Sequence, residues 1–152
     1  MTEEVDRTAV TAFVENLVRA VGLDVTIDSS ESDGLLRVNL SGPDRPILLS
    51  NTAAVLNGIE YLVSKIFRSG REEGAESIVL DSDNYRQHRE AELVLLAQMA
   101  SKTVLSQRKP LSLQPMSPKE RRIVHLALAG VQGVRSESQG EGDQRSITIY
   151  PS

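Results

Sequence analysis

The chain contains no cysteine and no tryptophan. The missing cysteines exclude disulfides, thiolate metal sites and cysteine nucleophiles, and they suit a reducing, cytoplasmic setting. Aromatic residues are few: Phe13, Tyr61, Phe67, Tyr85 and Tyr150 are all there are. A large aromatic platform for stacking bases is therefore not expected. No apolar run approaches the ~20 residues that span a bilayer, so no membrane insertion is expected. The opening MTEEVDRTAV lacks the basic start and apolar run of a signal peptide. With only two histidines, His88 and His125, and no cysteine, neither a metal nor a cofactor is expected. The pairs Glu72/Glu73 and Asp81/Asp83 fall in loops or at a helix start, where carboxylates are usually solvated or act as caps. Catalysis is not expected from them. The run SNTA lacks the glycines and the Lys-Ser/Thr of a phosphate-binding P-loop.

What is present is a chain of 152 residues, 39% of them hydrophobic, enough for one ordinary domain or two very small ones. The net charge of −4 hides an asymmetry. Residues 1–83 carry 7 Lys/Arg against 15 Asp/Glu, and residues 84–152 carry 10 against 6. The first half stands at −8 and the second at +4, the pattern of a binding half joined to a non-binding one.

The N-terminal half reads as helix, strand, strand, a short irregular segment, helix, strand. Val10, Phe13, Val14, Leu17, Val18 and Val21 line one face of a helix that Gly22 ends. DVTIDSS and LLRVNLS alternate apolar and polar residues across SSESDG, as a β-hairpin does. Pro43 and Pro46 break the next segment. Residues 53–68 form a second helix, SGREEGAE a loop, and SIVLDSD a short strand. The second half reads as helix, strand, helix, strand, strand. Its long first helix has Asp81, Ser82 and Asp83 as N-cap candidates, an apolar stripe of Leu93, Leu96, Ala97, Ala100 and Val104, and Pro110 as its stop. LSLQPM alternates like a strand, and VRSESQG and RSITIYPS form a C-terminal hairpin. The class is α+β in two small domains, 1–83 and 84–152.

The most informative stretch is SPKERRIVHLALAG, residues 117–130. Ser117 with Glu120 makes a capping box, Pro118 fits the first helical position, and Gly130 closes the helix. Stepping about 100° per residue from Arg121 puts Ile123, Val124, Ala127 and Leu128 on one side, and Arg121, His125 and Arg122 together on the other. Arginines at a helix start meet the positive end of the dipole, a mild penalty of roughly 0.3–1 kcal/mol. An anion bound there would gain from the free backbone N–H groups, the dipole and the guanidinium forks. On the residues alone, a solvated outer face and an anion site both remain open.

The Arg-x-x-x-His spacing of Arg121 and His125 within QPMSPKERRIVHLAL resembles the small nucleic-acid-binding domain named for that motif. With NYRQHREAELVLLAQ before it and VRSESQGEGDQRSITIYP after it, nearly the whole chain resembles the bacterial Jag (SpoIIIJ-associated) family, which pairs a KH domain with the Arg-xxx-His domain. The resemblance implies a type II KH-like domain, αββααβ, followed by an αβαββ unit. It also implies single-stranded RNA or DNA as ligand, with Arg121, His125, Arg122 and Lys119 as contacts. Arg86, Arg89, Arg108 and Lys109 would lend electrostatic support. The KH Gly-x-x-Gly loop, which clamps a nucleic-acid backbone, aligns with Ser50, Asn51, Thr52 and Ala53. Both glycines are replaced, and the half is acidic, so the C-terminal helix is expected to make most contacts. The family's additional N-terminal Jag domain is expected to be absent. The resemblance further implies a second small KH protein or self-association as partner, and a link to cell elongation. A protein-interaction adaptor with little RNA binding is the competing expectation, and the acidic half favours it.

Overall fold

The computed structural model describes residues 6–67 and 78–152. The loop SGREEGAE and the pair Glu72/Glu73 lie outside the described residues. The chain separates into two compact units, residues 1–85 and 86–152, each with its own hydrophobic core. The element order is mixed α and β throughout, an α+β architecture.

In the first unit, α1 (Arg7–Ala20) starts at Asp6, whose carboxylate accepts from the N–H groups of Thr8 and Ala9. Val10, Val14 and Val18 point into the core, one per helical turn. Val21 does not continue the stripe: the helix ends before it, and its side chain is exposed. Strands β1 (Thr26–Ser32) and β2 (Leu35–Ser41) pair antiparallel, and β3 (Ile78–Asp81) adds parallel to β2. The hairpin turn is only Asp33–Gly34, with φ of 51° and 76°. This two-residue Asp-Gly loop takes the left-handed conformation that matches strand twist, so β1 runs further than the SSESDG reading allowed. Leu36, Val38 and Leu40 of β2 alternate inward against Ile78 and Leu80 of β3.

Helix α2 (Arg45–Phe67) differs from the expected helix over 53–68. It begins eight residues earlier, with Pro46 near its start rather than breaking the segment. Proline is tolerated in a helix's first turn because the N–H it lacks would have no helical partner there. The helix is interrupted at Ser50–Ala53. Ser50 is extended at ψ 154°, and Asn51, Thr52 and Ala53 have φ of 52°, 55° and 60°. The interruption divides α2 into two helical pieces, giving α-β-β-α-α-β along the unit. By length and composition α2 could cross a membrane, but Leu48, Ala53, Leu56, Ile59 and Val63 are packed in the core of this unit.

In the second unit, α3 (Tyr85–Gln107) buries Leu93, Ala97, Ala100 and Val104, whereas Leu96 is 39% exposed. Ser82 is not a side-chain cap for α3. Its hydroxyl donates to the Leu40 carbonyl and accepts from Arg45 Nε, and its own carbonyl accepts from the Tyr85 N–H. Strand β4 is only Leu111–Ser112, shorter than LSLQPM suggested. Helix α4 (Pro118–Ala129) follows, then β5 (Val134–Gln139), a short 3-10 turn over 142–144, and β6 (Ser146–Pro151). The sheet order is β4-β6-β5, all antiparallel. Ile147 and Ile149 of β6 face Val124 and Leu128 of α4 and the α3 stripe across one core. The β4–α4 connection is held by Leu113 N–H to Ile147 O and Met116 N–H to Arg145 O.

Thr52 is β-branched, exposed and left-handed, a conformation that costs an L-residue about 1–2 kcal/mol. Glycine removes that strain at a smaller cost of about 0.4–1 kcal/mol in chain entropy. Thr52→Gly is expected to stabilise the N-terminal unit by roughly 0.5–1 kcal/mol, seen as a higher urea midpoint. An unchanged or lower midpoint would show that the residue is not strained.

Candidate nucleic-acid interface

The first turn of α4 is set by three groups. Ser117 Oγ accepts from the Glu120 N–H at 3.3 Å, and Pro118 supplies the first helical residue. The capping box is only half formed. Glu120 does not fold back to Ser117; its Oε1 accepts from Arg89 Nε of α3 at 2.8 Å. The residue is buried, and Oε2 has no hydrogen-bond partner among the described residues. Placing this carboxylate in the first turn complements the helix dipole, and the pair ties α4 to α3. Arg89, expected as electrostatic support, is instead joined to Glu120 and, at 3.3 Å, to Glu92.

This geometry also reduces the role of the helix terminus. Pro118 has no N–H, the Glu120 N–H is taken by Ser117 Oγ, and the Arg121 N–H bonds to the Ser117 carbonyl. An anion here would therefore find fewer free backbone donors than the sequence suggested, and the side chains would carry more of its binding.

Those side chains are Arg121 and His125, one turn apart. They are not on a fully exposed face: both are half-buried, while Lys119 and Arg122 are exposed. Arg121 Nη1 donates to the Met116 carbonyl at 2.8 Å. His125 Nδ1 lies 2.7 Å from Ser136 Oγ on β5. With Nδ1 occupied by Ser136, Nε2 is the ring nitrogen left for a ligand. Ser136 was not singled out in the sequence because nothing local marks it. Its alternation on β5, with Val134 and Ser138 on the same face, is the one available signal. Ser138 accepts from Arg145 Nε at 2.8 Å, so a second arginine stands on that side of β5. Two guanidinium forks and an imidazole, each held by a neutral partner, are groups suited to hold an anion.

The expected loop, Ser50–Ala53, stands in the other unit. Ser50 Oγ donates to the Ile47 carbonyl, Thr52 Oγ1 to the Asn51 carbonyl, and Ala53 is buried. Both hydroxyls are thus already engaged. A concavity of about 510 Å³ on the outer face of the first sheet is lined by Asp28, Asp81 and Asp83 with Arg37. Three carboxylates against one guanidinium repel a phosphate backbone. Among the described residues no three of His, Asp and Glu gather in a way that could hold a metal ion.

Comparison with known proteins bears on the second unit directly. Residues 91–151 match the family model of the Arg-xxx-His (R-3-H) domain. Over 139 residues the chain is 32% identical to the RNA-binding protein KhpB of Clostridium symbiosum, covering 90% of this chain and 62% of that protein. It is 27% identical over 140 residues to the RNA-binding protein KhpB of Bacillus subtilis (strain 168), covering 90% and 66%. It is 25% identical over 147 residues to the RNA-binding protein KhpB of Lactiplantibacillus plantarum, covering 95% and 45%. The chain thus spans 45% to 66% of the length of these relatives.

Truncating Arg89 leaves the Glu120 carboxylate buried without its partner. Breaking a buried pair costs ~3–5 kcal/mol, and the partial exposure of Arg89 places this one on the order of 2 kcal/mol. Arg89→Ala is expected to lower the unfolding midpoint of the C-terminal unit accordingly. The double variant Arg89→Ala plus Glu120→Gln should recover part of the loss in the same denaturation experiment.

Proposed function

We propose that this chain binds single-stranded RNA through α4 and β5 of its C-terminal unit. One observation carries the reading: Arg121 and His125 sit a turn apart, each aimed by a neutral partner, Met116 O and Ser136 Oγ. Among the described residues neither is paired with a carboxylate. The match to the Arg-xxx-His domain and the relatives named as RNA-binding proteins support the same ligand class. In this reading Arg121 and His125 contact phosphate and sugar oxygens, with Arg122 and Lys119 as exposed flanking cations.

The N-terminal unit takes the role of a KH-like domain whose Ser50–Ala53 loop is not the main contact. Its −8 charge and its engaged loop hydroxyls favour that assignment. Exposed Tyr61, Leu62 and Ile66 on α2 favour a protein partner on this unit, either a second small KH protein or another copy of the chain. The setting is cytoplasmic, and the role is binding rather than catalysis.

A titration of fluorescent single-stranded RNA is expected to give micromolar or weaker affinity, with a shallow salt dependence from about three to five phosphate contacts. Arg121→Ala plus His125→Ala should weaken it at least about tenfold, the loss of two charge-assisted contacts. Unchanged binding by that variant would remove the C-terminal surface from consideration. In the same assay, Ser50→Gly plus Ala53→Gly is expected to leave affinity unaltered. A large loss would make the present loop side chains ligands.

A further inference from the structure

Four of the half-buried arginines of this protein fall into two kinds. Arg45 and Arg89 face carboxylates, Asp83 at 3.6 Å and Glu120 at 2.8 Å. Arg121 and Arg145 do not. Arg121 donates to the Met116 carbonyl, and Arg145 donates to Ser138 Oγ at 2.8 Å and to the Gly140 carbonyl at 2.9 Å. These acceptors orient a guanidinium without neutralising it, and each guanidinium has further N–H donors to offer. Withdrawing an uncompensated cation partly from water is costly. A bound anion would offset that cost at both positions.

The two positions are also in register. His125 is held by Ser136 and Arg145 by Ser138. These serines are two apart on β5, on one face and ~6.7 Å apart along the strand, close to the separation of consecutive phosphates in an extended single strand. Met116 joins the two ends, its carbonyl accepting from Arg121 and its N–H donating to the Arg145 carbonyl.

We propose that Arg145 forms a second phosphate subsite, so that Arg121 with His125, and then Arg145, take consecutive phosphates of one strand. The inference rests on the RNA-binding reading above and extends it to a two-phosphate track laid along β5. Exposed Glu141 and Asp143 in the turn after β5 have the wrong sign for phosphate, so the track ends at Arg145.

The test uses the full chain and two ligands, uridine 5′-monophosphate with one phosphate and the 5′-phosphorylated dinucleotide pUpU with two, followed by NMR titration. The wild type is expected to prefer pUpU. Arg145→Gln should erase that preference, at least about fivefold, while leaving the monophosphate unaffected. Arg145→Lys, which keeps the charge but not the fork, should retain part of the preference. It also serves as the folded control if Arg145→Gln loosens the β5–β6 hairpin. Binding of both ligands with a preference untouched by either Arg145 variant overturns this inference alone. Failure of the wild type to bind either ligand overturns the RNA-binding reading and this inference with it.

Discussion

The peptide of Met116 is the joint on which the C-terminal surface depends. Its side chain is buried in the second core, its N–H donates to the Arg145 carbonyl, and its carbonyl accepts from the Arg121 guanidinium. One residue between β4 and α4 thereby fixes the start of β6, the entry to α4 and the direction of an arginine. In the proposed RNA-binding role, an arginine held this way would lose less entropy when a ligand docks, because its long side chain is already ordered. The Arg89–Glu120 pair acts at the other side of the same turn, tying α4 to α3. The two ties leave the first turn of α4 little freedom to rotate.

The two units differ in the charge around their arginines. In the N-terminal unit Arg45 is bonded to Ser82 and lies 3.6 Å from Asp83, and Arg7 donates to the Ser29 hydroxyl and carbonyl on β1. Its outer sheet face carries an excess of carboxylates. In the C-terminal unit the arginines divide. Arg135 is paired with Glu137 and lies over the Tyr150 ring at 4.3 Å. Arg121 and Arg145 rest on neutral acceptors. Two half-buried arginines of this half, one on α4 and one in the turn before β6, thus keep their charge without a facing carboxylate.

Much of the fold was legible in the sequence because its local signals agree with its packing. The valines of α1 at 10, 14 and 18, the alternation in β2, and the Ser117–Pro118 start and Gly130 end of α4 all act over a few residues. The misreadings arose where the position within an element or a distant partner overrode a local rule. Pro46 looked like a breaker but lies in the first turn of α2. Leu96 belongs to the helical stripe of α3 by spacing, yet the core does not reach it. Glu120 has the spacing of a capping box, but Arg89, thirty-one residues earlier, draws its carboxylate away. Ser82 looked like a cap and instead bridges Leu40 and Arg45.

The sequence by itself determined that Arg121, Arg122 and His125 share one side of a well-started helix, because helical geometry depends only on spacing along the chain. It also determined that the basic charge lies in the second half. Only the tertiary structure decided which of those groups are held and by what. Ser136 meets His125 because β5 packs beside α4, and Arg145 meets Ser138 because β5 pairs antiparallel with β6. Glu120 meets Arg89 because α3 and α4 share a core. Those meetings join residues separated by seven to thirty-one positions. Their existence depends on strand register and core packing, which no local pattern specifies.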